Sequence, residues 1–221
     1  RGVRQGPKVR WGVLGVAKIA TVKVIPAMQR GESTEVVAIG SRDLKRAQRA
    51  AADLGIARAY GSYDDVIADP SVDAVYIPLP NHLHREWTVR AAEAGKHVLC
   101  EKPIGLNAAD AREIVAVRDR TGVTIQEAFM VRTHPQWTAA LDLARSGALG
   151  ELRAMVGVFS YFNDDPANVR NVAAWGGGAL LDIAHNRFNQ KHYRDAAAGY
   201  VEFLKRFPNH ASRNVAHHQA A

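Results

Sequence analysis

The chain has 221 residues, of which 47% are hydrophobic and 23% charged, a balance that is typical of globular proteins and excludes a disordered or fibrous chain. A formal net charge of +7 raises nucleic-acid binding as a hypothesis, but the basic residues are scattered and accompany no aromatic RNA-binding motif, so we expect no nucleic-acid partner. No apolar run reaches the roughly 18 residues of a membrane span, so we expect no membrane contact. The basic first residues lead into no apolar signal core, and the lone cysteine forms no internal disulfide. We therefore expect a cytoplasmic protein.

The first part of the chain alternates short apolar segments with segments of helical length. Strands are predicted at 9–15, 35–41, 72–80, 97–103 and 123–129. Residues 58–70 begin a further strand–helix unit. Helices are predicted at 17–30, 44–55, 84–96 and 107–122. This alternation predicts an α/β fold with a doubly wound, mostly parallel Rossmann sheet over residues 1–128.

The pattern changes after this first region. A helix is predicted at 133–150 and a long strand at 151–162, followed by three consecutive glycines. We interpret 129–183 as the start of a second α/β domain that is incomplete. Residues 184–221 are rich in histidine and asparagine and place apolar residues at helical spacing, so we interpret them as an atypical helical tail.

The first predicted strand ends in a glycine turn. Gly15, Ala17 and Ala20 have the spacing of the dinucleotide fingerprint G-x-G-x-x-G, with alanine in the second and third places. Gly15 allows the tight turn, and a small residue at 17 lets the backbone approach a pyrophosphate, whose charge suits the start of the following helix. We predict cofactor contacts from Gly15, Ala17, Lys18 and Ile19.

The residues after the second strand indicate which dinucleotide binds. NAD-binding domains usually carry an acidic residue here, which holds the ribose hydroxyls and would repel a 2′-phosphate. This chain has Ser41 and Arg42, with Lys45 one turn later, and these groups suit a 2′-phosphate. The pattern therefore favours NADP over NAD. In the alternative interpretation, the segment is only a solvated helix start with Ser41 or Asp43 as its N-cap.

The strand at 72–80 runs into the segment PLPNHLH at residues 78–84. Ligands of doubly wound sheets bind at the carboxyl ends of the strands, so this segment is a candidate cofactor contact. Asn81 also suits a helix N-cap, and both roles can hold. His82 and His84 lie two residues apart, but no carboxylate or cysteine ligand accompanies them, so we predict no metal site.

The segment HVLCEKP places a lysine at the end of the next strand, at the same edge of the sheet. We expect Lys102 to point toward the nicotinamide. A lysine that loses solvent near a cofactor can exchange protons near neutral pH, as hydride transfer to or from an alcohol requires. Pro103 fixes the adjacent backbone and suits a cis bond. Cys100 is interpreted as a packing residue rather than a nucleophile.

Several motifs together resemble those of one enzyme family. They are GVLGVAKIA, IPAMQ, AIGSRD, PLPNHLH, GKHVLCEKPIG, EAFMVRTHPQW and GGGALLDI, in order over residues 9–183. As a set they resemble the Gfo/Idh/MocA oxidoreductases, and in particular the branch similar to glucose–fructose oxidoreductase and dimeric dihydrodiol dehydrogenase. The resemblance implies a Rossmann domain followed by an α/β domain, hydride transfer between a pyridine nucleotide and a sugar or polyol substrate, and, as one expectation, a homo-oligomer.

The resemblance also carries roles over to matching positions. It makes Lys102 the catalytic lysine of the EKP motif. It implies a place near the nicotinamide ribose for Asn81, His84 and Glu101, and a place near the cofactor for Arg170. The cofactor contacts predicted after the glycine turn and the basic cluster are therefore Pro78, Leu79, Asn81, His84, Glu101, Lys102 and Arg170.

The match ends near Ile183. In the family, the segment after GGGALLDI continues to a tyrosine or histidine that acts as the acid partner of the lysine. Four residues after Asp182 this chain has Asn186, so His185, one place short, is the candidate catalytic acid. Only 38 residues follow Ile183, and their pattern does not predict the remaining strands of a second α/β domain. A truncation, a frameshift, a gene fusion or a divergent tail each fit this pattern.

The function that the sequence predicts is therefore an NADP-dependent oxidoreductase acting on CH–OH groups, with an incomplete substrate domain. A catalytically impaired nucleotide-binding module is one alternative, because the acid partner is displaced. An interaction protein, in which the tail helix docks on a helical partner, is another.

Overall fold

The computed structural model describes residues 7–151 together with residues 153, 165, 166, 168, 172 and 175. The chain divides into two compact units, Arg1–Phe129 and Met130–Ala221. Most of the predicted strand at 151–162, the glycine-rich segment, Arg170, His185 and the helical tail lie outside the described residues, so these predictions stay predictions.

The first unit is built on a parallel sheet. Its strands are β1 (Val9–Leu14), β2 (Thr34–Gly40), β3 (Arg58–Tyr60), β4 (Ala74–Ile77), β5 (His97–Glu101) and β6 (Ile125–Ala128). They lie in the order β3-β2-β1-β4-β5-β6, and every pair is parallel. This is the strand order of a doubly wound dinucleotide-binding fold, with the reversal of order between β1 and β4, so the Rossmann prediction is confirmed.

Helices connect these strands. They are α1 (Ile25–Arg30), which continues a π-helical turn at Ala20–Val24, α2 (Leu44–Leu54), α3 (Tyr63–Ala68), α4 (His84–Glu93) and α5 (Ala108–Thr121). In the second unit, α6 (Pro135–Arg145) follows a 3₁₀ turn at Met130–Arg132. The predicted helix at 133–150 is therefore shorter than expected, since Gly147 and Gly150 adopt positive φ angles beyond its end.

Local chemistry explains where several elements begin and end. Asp43 caps α2 by accepting a hydrogen bond from the Arg46 N–H at 3.2 Å, and Asn107 caps α5 through two such bonds. Strand β4 ends at Ile77 rather than continuing to residue 80, because Pro78 lacks an N–H for the ladder. Asn81 opens a 3₁₀ turn that precedes α4, so it does not cap that helix.

The core forms on both faces of the sheet. Successive strand residues point to opposite faces, so Leu14 and Val75 join α3 and α4 in one buried cluster. Val13 and Tyr76 join α1 and α2 in the other. Helix α3 approaches the sheet closely, since a Cβ on Gly12 or on Gly40 would come within 2.6 Å of a Val66 methyl group. Small residues at these two strand positions therefore allow α3 to pack against the sheet.

A buried carboxylate ties β3 to the loop before β4. Asp69 accepts hydrogen bonds from the Ser71 N–H at 2.8 Å, the Ser71 hydroxyl at 2.6 Å and the Tyr60 hydroxyl at 3.0 Å, and it pairs with Arg58 at 2.9 Å. Burial raises the pKa of this carboxyl. The hydrogen bonds and the guanidinium lower the pKa by a larger amount, so that the net value is about 2. The ionised form of Asp69 therefore stabilises the folded state.

We expect Asp69→Ala to lower the free energy of unfolding by about 2 kcal/mol at pH 7, because it removes charge-assisted hydrogen bonds. The folded-state pKa lies below the ordinary value of 3.8, so this contribution is present above about pH 3.8 and is lost as the pH falls toward about 2. Urea unfolding of wild type and variant from pH 7 to pH 2 measures the difference. The exposed Asp53→Ala serves as the control, and a constant difference across this range would contradict the assignment.

Candidate cofactor and catalytic site

The candidate site lies where four parallel strands end. Gly15 follows β1, Ser41 follows β2, Pro78 follows β4, and Lys102 follows β5. Parallel strands bring their carboxyl ends to the same edge of the sheet, and the order reverses between β1 and β4. In doubly wound folds this crevice is where ligands bind. The sheet therefore brings together segments that are up to 87 residues apart in the sequence, from Gly15 to Lys102.

The turn after β1 has room for a glycine only. Gly15 has a φ of +112°, and a Cβ at this position would lie 2.9 Å from the Leu79 side chain. Its N–H donates to the Gly40 carbonyl at 2.8 Å, which joins the ends of β1 and β2. The helical segment starts directly after Ala17, whose carbonyl accepts from the Thr21 N–H at 3.0 Å. The turn therefore joins the end of β1 to the start of the helical segment, with Gly15 buried and Val16 and Ala17 half-buried.

The three predicted contacts after Gly15 differ in exposure. Ala17 is half-buried, whereas Lys18 and Ile19 are exposed on the first turn of the helix. Ala20 is fully buried against the sheet, as the third small residue of the fingerprint requires. The contact predicted for Lys18 stays a prediction, since its side chain is exposed three residues after Gly15.

Hydrogen bonds of Ser41 hold the segment that follows β2. Ser41 is 7% exposed, its N–H donates to the Tyr60 carbonyl at 3.1 Å, and its Oγ accepts from the Asp43 N–H at 3.2 Å. Asp43, not Ser41, caps α2, which decides between the two N-cap candidates. Arg42 and Lys45 are exposed. The Asp43 carboxylate is bonded to the first turn of α2, whereas Ser41 and Arg42 directly follow β2 and Lys45 is the second residue of α2.

Sequence reasoning missed Arg46. Its guanidinium Nη2 donates to the Val16 carbonyl at 2.9 Å and so joins the start of α2 to the glycine turn. The available sequence signal was the last basic residue of SRDLKR, which falls in the first turn of the predicted helix at 44–55. Arg46 thus links the two loops that would hold the adenosine end of a dinucleotide.

His84 connects the loops after β4 and β5. The imidazole is fully buried, with Nδ1 2.6 Å from the Pro103 carbonyl and Nε2 2.7 Å from the Leu79 carbonyl. Both ring nitrogens therefore face backbone oxygens of the two loops. The predicted contact of His84 with the nicotinamide ribose stays a prediction, because the described hydrogen bonds are to the protein.

The loop that carries Lys102 is held on both sides. The Lys102–Pro103 peptide bond is cis, as the sequence suggested. Before the lysine, the Glu101 carboxylate accepts a hydrogen bond from the Tyr76 hydroxyl at 2.7 Å. After it, Glu127 Oε1 accepts from the Ile104 N–H at 2.8 Å.

The side chains around this loop differ in their ability to lose a proton. Burial, and then the hydrogen bond to Glu101, raise the pKa of the Tyr76 phenol above its ordinary range, so Tyr76 keeps its proton and donates. Burial likewise raises the pKa of the Cys100 thiol to about 12, so this cysteine packs in the core and offers no thiolate. Lys102 itself is exposed, so the described residues alone do not remove it from solvent.

Two other expectations concern metals and membranes. Among the described residues, no group of three or more histidine, cysteine or acidic side chains is arranged to hold a metal ion. The helices described in this structure are all too short or too polar to cross a membrane.

The strand order, the glycine turn and the polar strand ends define a Rossmann-type dinucleotide-binding domain. The chain belongs to the Gfo/Idh/MocA oxidoreductases, since residues 9–129 match the model of that family, described as an oxidoreductase family with an NAD-binding Rossmann fold. The family resemblance drawn from the motifs is therefore confirmed.

Known relatives extend the match beyond the first unit. The chain is 57% identical over 175 residues to an uncharacterized oxidoreductase of Rhizobium meliloti, a match that covers 79% of this chain and 52% of that protein. It is 45% identical over 177 residues to a D-xylose 1-dehydrogenase (NADP(+)) of Haloferax volcanii, with coverages of 78% and 53%.

A solved structure shows the same similarity. A 3-ketoreductase from Actinomadura kijaniata, in complex with NADP and TDP-benzene, matches with a TM-score of 0.74 and 40% identity, over 80% of this chain and 54% of that one. The chain therefore spans about half the length of the relatives it matches.

Proposed function

We propose that this chain carries the cofactor-binding part of an NADP-dependent oxidoreductase that acts on a CH–OH or carbonyl group of a sugar, polyol or related compound. One observation carries the proposal. The glycine turn, the cationic strand end (Arg42 and Lys45 after β2) and the Lys102 loop all lie at one edge of the sheet. Two relatives support it, since one is named as an NADP-dependent xylose dehydrogenase and another was solved with NADP.

The residues at this edge fit a phosphorylated dinucleotide. Gly15 leaves the turn without a side chain, so a pyrophosphate can approach the backbone. After β2, the Ser41 hydroxyl and the exposed Arg42 and Lys45 offer donors and positive charge for a 2′-phosphate. The carboxylate nearest in sequence to this strand end, that of Asp43, is hydrogen-bonded to the first turn of α2.

Lys102 is the residue that handles the proton in this proposal. Bound NADP(H) supplies the hydride chemistry. The Lys102 amine takes the proton of the substrate hydroxyl when an alcohol is oxidised, and its ammonium returns a proton to the oxygen when a ketone is reduced. The bonds to Glu101 and Ile104 on either side hold the backbone that aims this side chain. His185 as a second acid and Arg170 as a cofactor contact remain proposals.

A titration with NADPH and NADH, followed by cofactor fluorescence, tests the binding part of this function. We expect NADPH to bind well and NADH more weakly. Gly15→Val is the matched negative control, because its side chain would meet Leu79 and its φ of +112° disfavours any side chain. Wild-type protein that is folded by circular dichroism but binds neither cofactor would contradict the proposal.

A further inference from the structure

His84 occupies an unusual position for a buried histidine. It is the first residue of α4, and its ring fills the space between two strand-end loops rather than packing only against apolar side chains. One ring nitrogen faces the Leu79 carbonyl at 2.7 Å and the other faces the Pro103 carbonyl at 2.6 Å. The ring therefore spans the gap between the loop after β4 and the loop after β5.

This contact extends to both halves of the proposed site. On one side, Leu79 is the residue whose side chain lies against Gly15 in the glycine turn. On the other side, Pro103 directly follows Lys102, so its carbonyl moves with the lysine backbone. A continuous chain of contacts therefore runs from the glycine turn through Leu79 and His84 to the lysine.

The chemistry of imidazole suits this bridging role. Its two nitrogens lie on different edges of a rigid ring, so one side chain can reach acceptors on two loops. In the neutral form the ring donates to one carbonyl, and in the protonated form it donates to both. In either state it therefore donates a hydrogen bond to at least one of the two loops.

We infer that His84 is a positioning residue, which fixes the direction of Lys102 relative to the bound dinucleotide without itself touching the substrate. The inference rests on the proposed function, because it takes Lys102 to lie beside the nicotinamide. It predicts that loss of the ring displaces Lys102 while the adenosine end of the cofactor still binds normally.

Amine labelling tests this directly on the full chain. Wild type and variants are treated with limiting acetic anhydride, with and without saturating NADPH, and acetylation of Lys102 and Lys45 is measured by peptide mass spectrometry. In wild type we expect NADPH to protect both lysines. In His84→Ala we expect protection of Lys102 to fall by about five- to tenfold, the effect of losing one hydrogen bond, whereas Lys45 stays protected.

Two further variants separate positioning from general damage. His82→Ala removes an exposed histidine two residues earlier and is expected to behave as wild type. His84→Gln keeps an N–H donor at the end of a longer side chain and is expected to restore part of the Lys102 protection, and it replaces His84→Ala if that variant fails to fold. For any sugar that the wild type turns over, kcat should fall more than KM rises in His84→Ala.

The outcomes distinguish the inference from the function on which it rests. Equal protection of Lys102 in wild type and in both His84 variants, with NADPH bound, would overturn the inference alone. Parallel loss of protection at Lys102 and Lys45 would also overturn it, because the ring would then support the whole cofactor site. Absence of NADPH binding to the wild type would overturn the proposed function, and the inference with it.

Discussion

Replacing Lys102 by alanine should lower turnover by roughly 10²–10⁴-fold, the range that a positioned proton-transfer group contributes. NADPH binding should be nearly unchanged, because the glycine turn and the cationic strand end remain intact. Lys102→Arg should be almost as defective, since a guanidinium keeps its proton and cannot act as a base. Steady-state rates with NADPH or NADP and a panel of aldoses, ketoses and polyols, together with cofactor titrations, measure both effects.

The matched control is Lys23→Ala, which removes an exposed lysine from the helical segment after the glycine turn. It should leave the rate unchanged. Turnover that survives in Lys102→Ala would refute the assigned role. NADPH binding without turnover on any sugar or polyol, even in the wild type, would instead favour the nucleotide-binding module as the function of this chain.

Replacing Arg42 by alanine should weaken NADPH binding by roughly 10- to 100-fold and leave NADH binding almost unaltered. The guanidinium is exposed at the end of β2, and a charge-assisted hydrogen bond to a 2′-phosphate is worth about 1.5–3 kcal/mol. NADH lacks that phosphate, so it loses nothing. Fluorescence titrations at low and high salt measure the effect, which should diminish as salt screens the charge.

Two arginines on α2, the helix that follows Arg42, sharpen this experiment. Arg49→Ala removes an exposed guanidinium from the same helix without approaching the strand end, and it should leave both affinities unchanged. Arg46→Ala breaks the bond to the Val16 carbonyl in the glycine turn, so it should weaken NADPH and NADH together. Equal losses of both cofactors in Arg42→Ala would show that Arg42 supports the loop rather than recognising the phosphate.

Much of the Rossmann fold was predictable because its signals are local. The alternation of β-branched segments with helical segments gave the strands of the first unit, and the glycine turn marked the end of β1. The errors were at boundaries. Strand β4 stops at Ile77 because proline cannot continue the ladder, and the π-helical turn at Ala20–Val24 has no distinct sequence pattern.

The candidate site was predictable only in part. Gly15, Ser41, Arg42 and Lys102 could be located because each directly follows a predicted strand, and the parallel sheet places those ends together. The partners that hold them could not be located in this way. Tyr76 and Glu127 lie inside strands with the appearance of ordinary core or edge residues, yet their bonds anchor the two sides of the Lys102 loop.

The sequence by itself determined the family, the order of alternating elements and the residues that end each strand, because periodicity, turn chemistry and motif spacing are written in neighbouring residues. Only the tertiary structure decided that Arg46 joins two loops and that His84 joins Leu79 to Pro103 across neighbouring strands. The physical reason is that hydrogen bonds between distant segments depend on strand order and on which face a side chain occupies. Those properties are set by the burial of the whole sheet, to which many residues contribute at once.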